Sequence, residues 1–374
     1  MKKEFGMDTL CYFFGSLLVI AAAVDIFLTI FYARSGISLF STYVNKTIWF
    51  LFRYVAKFFY ARKDIILSFC GPLLMVFLLF TWTLLLITGF ALIVWPQLGS
   101  SITASQGATD TGFWNAFFYS GYNFTTLGIG NLTPQTDLMR VLTVLQSAMG
   151  FSFFTMTITY FLSVYNALRT RNTFALNLHY KTGGSADASD YLCDLKHDNR
   201  AQEISRDFSQ IAAEVAEILE AHHLYPILHY FRYKENQLAL PRFLGICLDA
   251  VSLSKSLFKE EFCIGFKHTA AANQLWISSM NLTSDLSNIF LSHKLLNQIE
   301  INEHVNSSLW RQRFLTAFKN IHQDPAVQDS ILEAAAQEYI ELRKQWNRHI
   351  MAFCNSQLYE YVEIMPFEQE ITTS

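Results

Sequence analysis

Charge is scarce in this chain of 374 residues: Asp, Glu, Lys and Arg make up 16% of it, against roughly 25% in a soluble domain. That shortage excludes a chain that is soluble throughout. A basic excess is missing too, since the formal net charge is −3, and a nucleic-acid binder needs a basic footprint. Six cysteines (11, 70, 193, 247, 263 and 354) include no C-x-x-C pair, which removes a zinc ribbon or a dithiol motif. Residues 169–374 hold four glycines and no G-x-G-x-x-G, so a nucleotide-binding regulatory domain is not expected there. No Walker, H-E-x-x-H or Ser/His/Asp arrangement is present, and no enzyme and no cofactor are expected. A D-x-D-x-D-G calcium loop is also absent. His222, His223 and His229 are spaced poorly for joint metal ligation, because neighbours on a helix point about 100° apart.

What is abundant is apolar sequence, and it is concentrated in one half. Residues 1–168 carry 9 Lys/Arg and 6 Asp/Glu; residues 169–374 carry 19 and 25. Segments 66–95 and 141–168 contain no charge, and 9–33 contains only Asp25. As helices the two uncharged segments reach roughly 42–45 Å, more than a hydrocarbon core of ~30 Å. Segment 9–33 is long and no A-x-A-like site in it precedes a polar mature start, so it reads as a third span rather than a signal peptide. The linker 34–64 holds Arg34, Lys46, Arg53, Lys57, Arg62 and Lys63 against Asp64, and Arg169-Thr170-Arg171 follows the last span. Such short basic segments stay in the cytoplasm. The expected topology has the N-terminus outside and the linker and 206-residue tail inside. Residues 48–60, too short and charged to span, suit a helix lying in the interface, so the lipid bilayer is one partner.

Between the second and third spans lies a polar stretch (96–111), then a short aromatic segment (112–124), then Thr125-Thr126-Leu127-Gly128-Ile129-Gly130-Asn131. A chain that enters the bilayer and returns must satisfy its backbone inside protein or beside water. Gly128 and Gly130 allow backbone conformations closed to other residues, so successive carbonyls can face one axis. Four such segments would stack carbonyl rings, with the Thr126 hydroxyl innermost, and replace the water shell of an ion.

Here the sequence resembles the potassium-channel pore family, over about residues 66–168. Thr126-Leu127-Gly128-Ile129-Gly130-Asn131 stands where that family has T-V-G-Y-G-D. Pro134, Arg140 and Gly150 also fall at positions common in the family. The resemblance implies an outer helix at 66–95, a pore helix at 113–125, a selectivity filter at 126–131 and an inner helix at 138–168. It implies K+ coordination by Thr126, Leu127, Gly128, Ile129 and Gly130, with Asn131 at the outer mouth, Gly150 at the inner-helix hinge position, and a homotetramer, since one chain supplies one filter strand. Two departures bear on selectivity. Ile129 replaces the aromatic residue that braces the filter, and Asn131 replaces the Asp at the mouth. Potassium selectivity is the expectation, with a weakly selective cation pore as the alternative. A membrane-anchored sensor with a vestigial pore is the rival from another class.

Phe151, Phe154, Ile158 and Leu162 recur at helical spacing and form a candidate pore-lining gate, or in part pack against the outer helix. Gly150 reads either as a hinge or as a close contact between helices. Asp25, an intramembrane charge, either snorkels or pairs with a linker cation, or takes part in gating. No span carries a cation at every third residue, so no voltage sensor is expected. In the tail, 183–190 reads as a flexible connector, Phe208 to Leu219 as an apolar stripe, Pro241 as the start of a helix with one apolar face, and Asp324-Pro325 as the cap of a helix over 326–352. The fold class expected is therefore an all-α membrane protein: 1–64 with a span and an interfacial helix, 65–168 a pore domain, and 169–374 a cytoplasmic helical domain whose ligand or partner the sequence leaves unknown. The expected location is the plasma membrane of a bacterium.

Overall fold

The computed structural model describes residues 2–32, 38–197, 201–257, 270–299, 303–321 and 328–366. The chain forms two compact units, Met1–Leu51 with Cys70–Asn166, and Phe52–Phe69 with Ala167–Ser374. Both are helical, and among the described residues three helices are long and apolar enough to cross a membrane: Gly6–Ile30, Cys70–Gln97 and Asp137–Lys181.

The first unit opens with α1 (Lys2–Ile30), followed by α2 (Ser41–Phe58), which starts seven residues before the interfacial helix expected at 48–60. On α2, Tyr43, Phe50, Tyr54 and Phe58 share one exposed face with Lys46 and Lys57. Helix α3 (Lys63–Ser68) ends before α4 (Cys70–Val94) begins, so the apolar run 66–95 is divided near Phe69. Pro72 explains the division, because its ring clashes with the carbonyl four residues back and it donates no hydrogen bond. Helices α1 and α4 approach through glycines: a Cβ on Gly15 would lie 2.7 Å from the Gly89 carbonyl oxygen. Small residues permit such backbone proximity between membrane helices.

After α4 come strand β1 (Ile102–Ala104), helix α5 (Phe113–Phe124) and strand β2 (Leu132–Pro134). The strands pair antiparallel, with Ala104 opposite Leu132, a ribbon too short to announce itself in the sequence. Helix α6 (Asp137–Lys181) runs for 45 residues, roughly 68 Å at ~1.5 Å per residue. It does not end at 168 as expected. The charges at 169–171 sit on a continuing helix, whose Phe174, Ala175 and Leu178 are buried in the second unit.

Where α6 stops, 183–190 is a built turn rather than a flexible connector. Gly183 and Gly184 take the left-handed conformation (φ +58 and +88), and their N–H groups donate to the carbonyls of Tyr180 and His179 at 3.0 Å. Asp187 then receives the guanidinium of Arg313 and accepts from Ser189 N at 2.6 Å. The bundle continues through α7 (Ala188–His197), α8 (Ala201–Leu224), α9 (Leu240–Leu257), α10 (Ala270–Phe290), α11 (His293–Gln298), α12 (Glu303–Ile321), α13 (Asp329–Gln357) and α14 (Tyr361–Ile364). The Phe208, Ile211, Ala212, Val215 and Ile218 stripe of α8 is buried. Helix α9 departs from its expected single apolar face: apart from Lys255 it is buried on every side, as the bundle's central element. Asp324, Pro325 and Val327 lie outside the described residues, as do Cys263 and Gly265.

The second unit also takes in the end of the linker, which the expected boundaries assign to the membrane half. Asp64 pairs with the buried guanidinium of Arg232, Lys63 and Tyr60 both reach Glu360, at 3.3 and 2.8 Å, and Arg53 donates to the Asn355 carbonyl. Arg171, buried on α6, donates to the carbonyls of Leu228 and Phe231 at 2.8 and 2.9 Å.

Candidate functional site

Helix α5 has Gly112 before it and ends at Phe124, and it is held from both sides. Ser120 Oγ donates to the Ile87 carbonyl of α4 at 2.8 Å. From α6, Gln146 Nε2 donates to Ser120 O at 2.9 Å and Ser147 Oγ to Asn123 O at 3.0 Å, while Tyr119 and Thr143 share a hydrogen bond of 2.7 Å. Polar groups in apolar spans need such partners, because none are available in lipid.

Gly150 fits the second of its two readings. A Cβ there would stand 1.8 Å from the Phe124 carbonyl oxygen, and α6 is helical straight through it. The glycine is the seat on which the end of α5 rests.

Beyond Phe124 the chain takes up an alternating conformation. Thr126, Gly128 and Gly130 have φ of +58, +60 and +77; the residues between them do not share this sign. A left-handed residue at every second position turns successive peptide groups to the same side. Thr126 pays the steric cost of that conformation without being glycine. Leu127 N donates to the Tyr122 carbonyl at 2.8 Å, tying the segment back onto α5. The C-terminal, negative end of α5 lies at Phe124, where the segment begins, and a cation is favoured there. In the single chain all of 125–131 is exposed, Ile129 to 49%.

The far end of the segment, at Gly130 and Asn131, is held by residues the sequence did not single out. Tyr122 Oη donates to Leu132 O at 3.0 Å, Ser105 N to Asn131 O at 2.9 Å, and Ser105 Oγ to Gly130 O at 2.5 Å. Only the aromatic density of 112–124 hinted at Tyr122; nothing marked Ser105, which is fixed by the β1–β2 register.

Among the four gate candidates, Phe151, Ile158 and Leu162 are 68%, 61% and 62% exposed and share one side of α6. Phe154 leaves that stripe and packs against Phe124, ring centroids 5.9 Å apart; exposed Thr155 stands in line instead.

Asp25 is fully buried, and among the described residues no linker cation pairs with it; Arg34 lies outside them. Its carboxylate accepts from Phe40 N at 2.8 Å, Ser41 Oγ at 2.5 Å and Trp82 Nε1 at 2.7 Å. It thus caps α2 from another helix, and the Trp82 ring meets Phe153 of α6 edge-on. His222 and His229 are buried and His223 faces Asp285; among the described residues no three His, Cys, Asp or Glu side chains are grouped to hold a metal ion.

This geometry, two apolar helices around a short helix and an alternating loop, is where comparison with known proteins becomes informative. Residues 73–167 match the family described as "Ion channel". The matched stretch begins near the start of α4 and ends beside the boundary of the first unit, so the ion-channel region coincides with α4, α5 and most of the apolar part of α6. Helix α1 and the tail bundle lie outside it. The chain is also similar to the "Uncharacterized membrane protein YdjJ" of Bacillus subtilis (strain 168), with 25% identity over 250 residues, 66% of this chain and 70% of the relative. No solved structure matches. The ion-channel match points to transport rather than covalent chemistry.

Proposed function

We propose that this chain is one subunit of a homotetrameric, potassium-selective channel of the bacterial plasma membrane, passing K+ passively down its electrochemical gradient. The observation that carries this reading is the left-handed alternation at Thr126, Gly128 and Gly130 within the region that matches the ion-channel family. Four such segments around an axis give rings of carbonyl oxygens from Thr126, Leu127, Gly128, Ile129 and Gly130 that substitute for hydration water. Exposure of the whole segment in one chain accords with its completion by three further copies. Asn131 stands at the outer mouth, and Phe151, Ile158 and Leu162 supply an apolar constriction able to close by dewetting. The N-terminus lies outside and the tail inside, with the aromatic and lysine face of α2 in the cytoplasmic headgroup layer.

A second reading, a weakly selective cation channel, is favoured by the exposed Ile129 side chain, which braces its strand less than an aromatic ring would. Flux assays on proteoliposomes test the pore itself. Gly128→Ala places a Cβ on a left-handed residue, at about 1–2 kcal/mol per subunit, and should abolish K+-driven flux while leaving the protein folded. Undiminished flux through this variant would overturn the proposal.

A further inference from the structure

We infer that Ser105, on the loop outside the membrane helices, is the residue that fixes the orientation of the outermost carbonyl ring, and that it thereby sets ion discrimination; the inference rests on the channel reading above. Gly130 is the last left-handed position of the segment, and a glycine at φ +77 resists rotation of its peptide groups less than any other residue. Its carbonyl must therefore be held by something outside the segment. The partner the structure supplies is Ser105 Oγ, donating to Gly130 O at 2.5 Å, while Ser105 N donates to Asn131 O at 2.9 Å. The two bonds from one residue clamp successive carbonyls, 130 and 131. A carbonyl oxygen has two lone pairs; with one given to Ser105, the other remains for an ion.

The clamp is itself supported. Ser105 follows Ala104, which pairs with Leu132 across the ribbon, and Ala104 N is taken by Thr109 Oγ1 at 2.9 Å. Gln135 closes the far side through Thr103 Oγ1 at 3.0 Å and Ser101 O at 2.8 Å. Ile102 and Leu132 are buried against Tyr119 and Tyr122 of α5. The ribbon is thus anchored to the helix that carries the segment's inner end, and Ser105 transfers that anchorage to the outer end.

The test uses the full-length protein in planar bilayers with KCl on one side and NaCl on the other, comparing the unmodified chain with Ser105→Ala and Ser105→Thr. Alanine keeps the backbone bond to Asn131 and loses only the hydroxyl. Its K+/Na+ permeability ratio should fall by roughly fivefold, the equivalent of one net hydrogen bond. Threonine keeps a hydroxyl and should hold the ratio within about twofold of the original, a rescue that a purely structural role would not give. Thermal stability measured in parallel should be nearly equal for the three. A selective unmodified channel whose ratio is unmoved by alanine overturns the role of Ser105 and leaves the potassium reading standing. Equal loss in both variants with lowered thermal stability overturns it as well, as a folding effect. An unmodified channel that does not discriminate K+ from Na+ removes both.

Discussion

A methyl group added at Gly150 would meet the Phe124 carbonyl oxygen at 1.8 Å and its carbon at 2.8 Å, so Gly150→Ala decides between contact and hinge by sign. Both contacts are with backbone, which cannot swing aside, so α6 and the end of α5 must part by more than an ångström. Two opposing terms apply. Replacing glycine by alanine in a helix interior stabilises it by about 1 kcal/mol, and a pure hinge would show that gain. Overpacking of a tight contact costs roughly 1–3 kcal/mol, and the Ser147–Asn123 bond beside it would stretch, at about 1 kcal/mol. The clash wins, by about 2 kcal/mol. Thermal unfolding of the purified protein should shift down, and on the channel proposal K+ flux should fall, because Phe124 immediately precedes the segment proposed to conduct. A variant that melts at or above the temperature of the unmodified protein, with normal flux, would restore the hinge.

Other changes have equally directed outcomes. Asp25→Ala leaves Ser41, Phe40 N–H and the buried Trp82 N–H without their shared acceptor, at about 2 kcal/mol or more, so thermal unfolding should occur at lower temperature; an unchanged melt would show that the carboxylate does not tie α2 to α1 and α4. In the second unit, burial and then the nearby Arg171 guanidinium push the His222 pKa down to about 3 from the usual 6.5. The folded state keeps this imidazole neutral while the unfolded chain protonates it, so its contribution is complete above about pH 6.5 and is lost as pH falls towards 3, at roughly 1.4 kcal/mol per pH unit. Thermal unfolding at pH 7.5 and 5.5 should show the loss, and His222→Gln should lessen it, with buried His229 keeping its own share; identical pH dependence in the variant would contradict the assignment to His222.

The membrane half was largely legible because its signals are continuous: uncharged runs of span length, and two glycines between them. Signals that depend on chain pairs far apart in sequence were not. Asp25 drew attention as a charge in an apolar run, yet its partners come from residues 15 to 57 positions away, and no local pattern names them. Gly150 offered two physical readings that only the approach of a second backbone separates. The β1–β2 ribbon has three residues a side, below the length at which alternation can be read, and Ser105 was lost with it. Charge misled at 169–171, where a basic cluster suggested the end of a helix that instead continues because Phe174, Ala175 and Leu178 have a core to enter. Gln146 and Ser147 were open to inference, since polar side chains in a span require partners and a neighbouring helix end could supply them.

K+ selection by the backbone of Thr126 to Gly130 is open to one decisive measurement, the reversal potential of the purified full-length protein in a planar bilayer between KCl and NaCl. A strong shift towards the potassium equilibrium potential is expected, despite Ile129 and Asn131. A clear current reversing near zero would contradict it and make this a non-selective cation pore.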